Sequence, residues 1–374
     1  MKEDYKCNVL IMGKTGTGKS TLLNYLCDSD VAQTGSGKPV TGEGIYEYSV
    51  RINGQEVRIF DSWGIEAGKV ERWRTLIGQS LQEHGVQQRM EDWFHSVIYC
   101  IQAGGGRVED IDSEIIRKFL SEGYLLTVVL TKADQVDEND EAKMKNVILN
   151  ELKGFIPVSF EGKINVVSTC AEKKKTRSGE TKPFGKEELQ KAILDGWKET
   201  VIERIPKHVV ASICKIVDDW CKDEIAQLPN LDVSGLSEMN EHIYNSIIED
   251  SKEICEEINK KHIKTILTEA IDSCKKAGVA LHSMLNYQIE YEYLDENKAT
   301  EEDIGWWVWP LAAINIPIIL PVLIIETIKS KSTKRIREER QHIEDFIRKS
   351  ADDIKSKCAQ SESIITKIVR NIFD

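Results

Sequence analysis

The eight-residue segment Gly13-Lys14-Thr15-Gly16-Thr17-Gly18-Lys19-Ser20 constrains the fold more than any other feature of the chain. It lies between CNVLIMG, an apolar run typical of a buried strand, and STLLNYLCD, which has the pattern of a helix. Its glycines allow backbone N–H groups to turn inward around a phosphate, and the helix that follows adds the positive end of its dipole. The segment therefore predicts a phosphate-binding loop between a strand and a helix.

Strand-like and helix-like patterns alternate over residues 1–205. The runs EYSVRI and QEVRIFD flank Asn53-Gly54, a dipeptide that strongly indicates a tight hairpin turn. Three more apolar runs, SVIYCIQ, YLLTVVL and KINVVST, are separated by polar helical stretches. This order predicts an α/β domain with a mainly parallel sheet and helices on both faces. We expect KKKTRSGETKPFG to be a loop and GKEELQKAILDGWKETVIERI to be the last helix of this domain.

The pattern changes over residues 206–374, where no strand pattern occurs and apolar residues recur at helical spacing. A chain of 374 residues is long enough for two cores, so we expect a second, all-α helical domain here. One apolar stripe on the last helix consists of Ile336, Ile343, Ile347, Ile354, Cys358, Ile365, Val369 and Ile372. We expect this stripe to pack inside a helical bundle; a coiled-coil dimer seam is the alternative.

Charge and cysteine content limit the partners and the compartment. The formal net charge of −12 argues against a broad nucleic-acid surface, which needs clustered Lys and Arg. There are nine cysteines but no CxxC pair, and the first residues, MKEDYKCNVL, contain no apolar leader. We therefore expect a protein of the reducing cytoplasm without disulfides.

Two further motifs follow predicted strands. Asp61-Ser62-Trp63-Gly64 comes at the end of QEVRIFD, where a carboxylate can hold a magnesium-bound water and the Gly64 N–H can meet a γ-phosphate. Thr131-Lys132-Ala133-Asp134 comes directly after YLLTVVL. Asp134 can accept hydrogen bonds from N1–H and N2–H₂ of guanine, a donor pair that adenine does not offer. The motifs together predict GTP or GDP, rather than ATP, as the ligand, with Mg²⁺.

These three motifs resemble those of the translation-factor-related P-loop GTPases, in particular the Era-like and septin/AIG-type branches, over about residues 5–200. The resemblance implies that Thr41 is the switch I threonine, which completes the magnesium shell. It also implies that Thr169-Cys170-Ala171 contacts the guanine oxygen through backbone N–H groups. The implied nucleotide contacts are Gly13, Lys14, Thr15, Gly16, Thr17, Gly18, Lys19, Ser20, Thr21, Thr131, Lys132, Asp134, Cys170 and Ala171. The implied metal ligands are Ser20, Thr41 and Asp61, and the implied catalytic groups are Lys19, Thr41 and Gly64.

The residue after the second motif is Ile65, at the position where many of these GTPases have a glutamine that orients the attacking water. We therefore expect a GTPase with slow intrinsic turnover, accelerated by self-association as a dimer or by an activating partner. The alternative is a pseudo-GTPase scaffold that binds GTP without hydrolysing it.

The segment 304–325, IGWWVWPLAAINIPIILPVLII, has 22 residues without a charge, close to the length of a membrane-spanning helix. Three prolines interrupt it, acidic residues precede it and basic residues follow it. It is therefore expected to meet an anionic membrane surface as a short kinked hairpin. The alternatives are a connection buried in the bundle and a docking patch for another protein.

The layout of the whole chain resembles dynamin-like and immunity-related GTPases. This implies a switch located in the cytoplasm and peripherally on the cytosolic face of a membrane. The other hypothesis for the function is a soluble Era-like GTPase acting in ribosome assembly. That hypothesis requires an RNA-binding appendage, and no such pattern is found after Pro206.

Overall fold

The computed structural model describes residues 6–28, 45–52, 55–62, 69–105, 108–172, 174–176, 179–228, 236–285 and 335–373. These residues form two compact units. The first comprises the described residues up to Arg204 together with 270–285 and Phe373, and the second comprises those within 205–269 and 335–372. The predicted domain limits, 1–205 and 206–374, stay a prediction.

The first unit is built on a six-stranded sheet with the strand order β2-β3-β1-β4-β5-β6. Its strands are β1 (Lys6–Gly13), β2 (Ile45–Ile52), β3 (Gln55–Ser62), β4 (Ser96–Gln102), β5 (Thr127–Thr131) and β6 (Val166–Ser168). All neighbouring pairs are parallel except β2 and β3, which form an antiparallel hairpin. The predicted α/β fold with a mainly parallel sheet is thus confirmed.

Helices follow the parallel strands. They are α1 (Lys19–Cys27), α2 (Val70–Glu83), α3 (Asp110–Ser121), α4 (Glu138–Leu152) and α5 (Lys186–Gln227). One apolar core joins Leu10 and Met12 of β1 to Trp73 of α2, Ile116 of α3 and Ile148 of α4, all of which are buried. Because strands alternate with helices along the chain, the carboxyl ends of β1, β3 and β5 reach the same edge of the sheet.

Two expectations about residues 173–227 are wrong. The segment expected to be a loop contains an antiparallel pair of short strands, β7 (Lys174–Thr176) and β8 (Gly179–Thr181). Helix α5 does not end before Pro206 but continues to Gln227. Proline inside a helix removes one hydrogen bond and costs about 3 kcal/mol. The neighbouring Ile202, Ile205 and Val209 are all buried, and this packing outweighs the local cost.

The described residues of the second unit are all helical or in short connections. After α5 come α6 (Leu236–Glu257), a π-helical turn (Ile258–His262), α7 (Ile263–Leu285), α8 (Arg335–Gln360) and α9 (Glu362–Phe373). Of these helices, residues 270–285 of α7 and Phe373 of α9 belong to the first unit. Within this unit Lys355 of α8 forms an ion pair with Asp218 of α5 at 2.9 Å. The predicted helical region is thus confirmed.

Most of the predicted apolar stripe is buried. The buried members are Ile343, Ile347, Ile354, Cys358, Ile365 and Val369. Ile372 is half-buried, and the side chain of Ile336 lies outside the described part of the chain. The stripe is divided between α8 and α9 by Ser361, rather than lying on one continuous helix.

The apolar segment 304–325 lies outside the described residues. None of the helices that the structure does describe combines the length and the apolarity needed to cross a bilayer.

Two helical glycines of the first unit differ in the space available for a side chain, so substituting alanine at each gives a matched pair of variants. A Cβ added to Gly78 of α2 would meet no atom within 4 Å, whereas one added to Gly196 of α5 would lie 2.7 Å from the Leu125 carbonyl oxygen. Gly78→Ala should stabilise the protein by about 0.5–1 kcal/mol through helix propensity. Gly196→Ala should destabilise it by about 1–3 kcal/mol, because α5 must move away from Leu125. Thermal unfolding of both variants tests this; stabilisation by both would contradict the close approach.

His95 makes the stability of the first unit depend on pH. Its Nδ1 accepts the Asn8 N–H at 3.0 Å in a buried position. Burial, and secondarily the positive charges of Arg58 and Arg204, lower the pKa of His95 to about 3. An unfolded histidine has a pKa of about 6.5, so below that pH the unfolded chain binds a proton that the folded chain does not. The contribution of His95 to stability is complete above pH 6.5 and should fall by about 1.4 kcal/mol per pH unit as the pH drops toward 3.

His95→Gln keeps a side-chain acceptor but removes this titration. A second group, Asp61, also titrates in this pH range. Burial raises the pKa of Asp61 to about 6, against the opposing effect of Lys19. Because of this raised pKa, Asp61 makes the protein less stable as the pH rises from about 4 to 6. Because Asp61 is present in both proteins, its contribution cancels in the difference between them. Urea unfolding at pH 7.5, 6 and 5 should show the stability difference shrinking toward acid pH. Parallel profiles for the two proteins would contradict the assignment to His95.

Candidate nucleotide site

The predicted phosphate-binding loop connects β1 to α1 at the carboxyl edge of the sheet. Gly16 and Gly18 have φ angles of +81° and +86°, and Gly18 is the N-cap of α1. Gly13 has a φ of +143°, and a Cβ there would lie 2.3 Å from the Cys100 carbonyl oxygen. Only glycine fits this combination of close approach and positive φ, which explains the spacing found in the sequence.

Lys19 is the first residue of α1, and its ammonium group lies inside the loop. It donates hydrogen bonds to the carbonyl oxygens of Gly13 at 3.2 Å and Lys14 at 3.3 Å. Burial lowers its pKa, although the nearby Asp61 carboxylate opposes this shift. Asp61, near the end of β3, is buried, and its Oδ1 has no hydrogen-bond partner among the described residues. A lysine and a carboxylate that are both buried beside the loop provide opposite charges for a phosphate and a cation.

The motif Thr131–Asp134 is tied directly to this loop. The Thr131 hydroxyl donates to the Thr17 carbonyl oxygen at 2.6 Å, and the Lys132 ammonium donates to the Gly16 carbonyl oxygen at 2.7 Å. Lys132 has a φ of +54°, which is uncommon for a residue other than glycine. The structure therefore holds the two motifs together although more than 100 residues separate them.

A cleft of about 370 Å³ opens between these motifs and the end of β6. It is lined by Gly18, Thr21, Leu22, Thr131, Lys132, Asp134, Thr169, Cys170, Ala171 and Glu172. Asp134 is half-buried, and its carboxylate has no ion-pair or hydrogen-bond partner in the part of the chain that the structure describes. The cleft thus offers a carboxylate acceptor in a lining that also includes Gly18 of the phosphate-binding loop.

The third loop, Thr169–Ala171, is fixed by its own backbone contacts. The Thr169 N–H donates to the Leu130 carbonyl at 2.8 Å, and the Cys170 N–H donates to the Phe184 carbonyl at 3.2 Å. The amide of Cys170 is therefore engaged. The Ala171 N–H has no backbone partner among the described residues and is the amide of this loop that remains for a ligand.

The remaining predicted residues differ in where they lie. Thr41, Gly64 and Ile65 lie outside the described residues. Thr15 is exposed, Ser20 is half-buried at the start of α1, and Lys14 directs its ammonium group to Asp112 and Glu109 of the α3 region. Leu22 and Glu172 also line the cleft but were not predicted, and their only sequence signal is proximity to the motifs.

The fold and the loop geometry define a P-loop GTPase domain followed by a helical region. Residues 8–132 match the family described as 50S ribosome-binding GTPase. This part of the chain is a P-loop G domain similar in sequence to septins and to the tRNA modification GTPase MnmE.

This chain spans half or less of the length of two of its sequence relatives. The chain is 23% identical over 180 residues to cell division control protein 10 of Candida albicans, covering 41% of this chain and 49% of that protein. It is 29% identical over 154 residues to MnmE of Prochlorococcus marinus, covering 41% of this chain and 30% of that protein. The septin GTPase domain of Chlamydomonas reinhardtii superposes with a TM-score of 0.39 at 16% identity, covering 53% of this chain and 92% of that domain.

Proposed function

We propose that this protein is a molecular switch that binds Mg²⁺–GTP in the cleft and hydrolyses it to GDP and phosphate. The observation that carries the proposal is the convergence of three loops on one cleft, which Asp134 lines without a hydrogen-bond or ion-pair partner among the described residues. Those loops are 13–20, 131–134 and 169–171, and they come from the ends of three parallel strands, β1, β5 and β6. Ligands of such sheets bind at the carboxyl ends of the strands.

Each loop is assigned one part of the nucleotide. Asp134 accepts the two N–H donors of guanine, and the Ala171 N–H donates to the guanine oxygen. The phosphates lie on the amides of residues 13–21, with Lys19 on the β- and γ-phosphate oxygens. Lys132 and Thr131 hold the phosphate loop against the base pocket through their bonds to Gly16 and Thr17.

The residues beside the loop fit a magnesium ion. A buried carboxylate oxygen of Asp61 lacks a partner among the described residues, and Ser20 supplies a hydroxyl at the start of α1. Ser20 and Asp61, together with Thr41, would hold the ion, Asp61 through a bound water. When bound, Mg²⁺ neutralises charge on the β- and γ-phosphates.

Hydrolysis requires an ordered water and stabilised phosphate charge. We assign charge stabilisation to Lys19, and positioning of the γ-phosphate to Thr41 and Gly64. Ile65 has no polar group that could orient the water. The switch therefore turns over slowly alone and faster when a second copy or an activating partner supplies the missing group.

The test is to measure fluorescent GDP and GTP binding with ATP as competitor, and then GTP hydrolysis per molecule over a wide range of protein concentration. We expect GTP and GDP, but not ATP, to displace the probe, and the specific activity to rise with concentration. Failure to bind guanine nucleotide would overturn the function. Binding without phosphate release at any concentration would instead identify a pseudo-GTPase scaffold.

We further propose that the switch acts in the cytoplasm and peripherally on a membrane, through the apolar segment 304–325. The support is the uncharged, tryptophan-rich sequence of this segment and the basic residues that follow it. Sedimentation with anionic liposomes in GDP and in a non-hydrolysable GTP analogue tests this, with neutral liposomes as the control. Absence from the liposome pellet in both nucleotide states would contradict it. Copurifying ribosomal RNA would favour the soluble ribosome-assembly function.

A further inference from the structure

A second layer of contacts holds the phosphate loop from outside. The Lys14 ammonium lies 2.7 Å from Asp112 Oδ2 and 3.0 Å from Glu109 Oε1, at the start of α3. The side chain of Lys14 is 24% exposed, and that of Asp112 is only 2% exposed. Lys14 is the second residue of the loop, so this ion pair anchors the loop to a different helix from the one that it starts.

The Asp112 carboxylate is fixed from three sides. Its Oδ1 accepts the Tyr99 hydroxyl at 2.7 Å, and its Oδ2 accepts the Glu109 N–H at 2.9 Å as well as the Lys14 ammonium. Tyr99 is fully buried in β4, where it lies beside Met12 of β1. A buried carboxylate with three donors has one stable position, because any movement would leave a charge or a donor unpaired.

The anchored residue also holds the catalytic lysine. The Lys14 carbonyl oxygen accepts hydrogen bonds from the Lys19 ammonium at 3.3 Å and from the Thr17 hydroxyl at 2.8 Å. A rigid link thus runs from Asp112 through the side chain and backbone of Lys14 to the ammonium of Lys19. If the link is broken, the loop and the Lys19 ammonium gain freedom that nucleotide binding must remove.

We propose that Asp112 is a positioning residue of the nucleotide site, acting through Lys14 on the phosphate loop and on Lys19. This inference rests on the proposed function, since it concerns how the same site holds the phosphates. Lys14 contributes to binding through its backbone, while its side chain stays on Asp112. The opposite arrangement would have the Lys14 ammonium leave Asp112 and contact phosphate directly.

The two positions of the Lys14 ammonium, on Asp112 or on phosphate, lead to different nucleotide affinities for Asp112→Asn. If Asp112 positions the loop, then Asp112→Asn, Lys14→Met and the double variant should each weaken binding of a GTP analogue by about the same factor, about 10-fold. The effects should not multiply, because both substitutions break one link. The loss should be smaller for GDP, because GDP lacks the γ-phosphate that Lys19 reaches. If Lys14 contacts phosphate directly, Asp112→Asn should leave binding unchanged or tighten it.

Binding of fluorescent GDP and of a non-hydrolysable GTP analogue is measured at a temperature at which circular dichroism shows each variant folded. Asp110→Asn is the matched control, because Asp110 carries the same charge in the first turn of α3, is exposed, and is not part of the ion pair. It should bind both probes like the unmodified protein. If Asp112→Asn does not fold, Lys14→Met and Tyr99→Phe test the link from its two sides. Both substitutions should weaken binding of the GTP analogue more than binding of GDP.

Three results would each overturn the inference. They are an equal loss of affinity for GDP and for the GTP analogue, a loss in the double variant equal to the product of the single losses, and unchanged binding in Asp112→Asn. If the unmodified protein binds neither nucleotide, the proposed function itself fails. The two failures are therefore distinguishable in one experiment.

Discussion

Asp134→Asn should abolish guanine selectivity and create binding of xanthosine nucleotides. A carboxylate accepts both donors of the guanine edge, whereas an amide offers one acceptor and one donor. The amide N–H would then face the guanine amino group, leaving two donors opposed in a cleft. Of the two hydrogen bonds to the charged carboxylate, each worth about 1.5–3 kcal/mol, one would be lost and the other would lose its charge, while the unpaired donor would cost about 1–3 kcal/mol more. GDP binding should therefore weaken by about 100- to 10,000-fold. Xanthine has a carbonyl in place of that amino group and accepts the amide N–H instead.

The measurement is displacement of a fluorescent nucleotide by GDP and by xanthosine diphosphate for each protein. Asp137→Asn is the matched control. Asp137 lies three residues further along the same loop, is exposed, and caps α4 by accepting the Asp140 N–H at 2.9 Å. Asparagine caps helices about as well as aspartate, so this variant should keep guanine selectivity. If Asp134→Asn bound GDP like the control, Asp134 would not face the base.

Arg204→Met should cost about 3 kcal/mol of stability, the largest effect that we expect from a substitution outside the nucleotide cleft. The Arg204 guanidinium donates to the carbonyl of Glu122 at 2.7 Å and of His84 at 3.0 Å. These residues are the C-caps of α3 and α2, so one cation meets the negative ends of two helices. Its faces also pack on the rings of Tyr124 and Trp93, at 3.9 and 4.8 Å from their centroids.

Two opposing terms decide the size of this effect. Burial lowers the pKa of Arg204, which shows that the buried charge itself is unfavourable, and replacing a buried charge by an apolar group sometimes stabilises a protein. Here the partners are carbonyls rather than a second side chain that can be removed with it. The Glu122 carbonyl would lose its donor, at about 1–3 kcal/mol, and both ring contacts would be lost. We therefore expect the loss of these contacts to destabilise the protein more than removal of the buried charge stabilises it.

Urea unfolding followed by circular dichroism measures this difference. Arg204→Lys keeps the charge but cannot reach two carbonyls in one plane, and should recover only part of the stability. Arg89→Met is the control, because Arg89 is 79% exposed and pairs with Asp92 on the surface. Its effect should stay within about 0.5 kcal/mol. An Arg204→Met protein as stable as this control would show that the guanidinium contacts contribute nothing.

Local sequence signals predicted the sheet and the glycine-rich loop between β1 and α1. The phosphate loop was predictable because Gly13, Gly16 and Gly18 are needed by the backbone itself, independently of the rest of the chain. The β2–β3 hairpin was predictable because its signal, Asn53-Gly54, lies between the two strands. Asp134 was predictable because the strand before it places it at the edge of the sheet.

Features that depend on distant contacts were not predictable. Helix α5 passes through Pro206 because residues on both sides of the proline are buried, and burial cannot be deduced from a local breaker signal. The β7–β8 pair consists of polar residues that have no strand pattern. The Asp112–Lys14 contact joins residues 98 positions apart, and nothing near either residue indicates the other. The engagement of the Cys170 amide by Phe184 is of the same kind.

The π-helical turn at Ile258–His262 makes one part of this long helical stretch tolerant to a change in length. A π turn contains one residue more than an α-helical turn spanning the same distance. Deleting the exposed Lys260 should therefore convert it to regular α-helix and leave the buried faces of α6 and α7 in phase. A deletion within α7 would rotate the residues beyond it by about 100° and turn buried side chains such as Leu267 toward solvent. Insertions and deletions accepted by this region should therefore concentrate at these five residues.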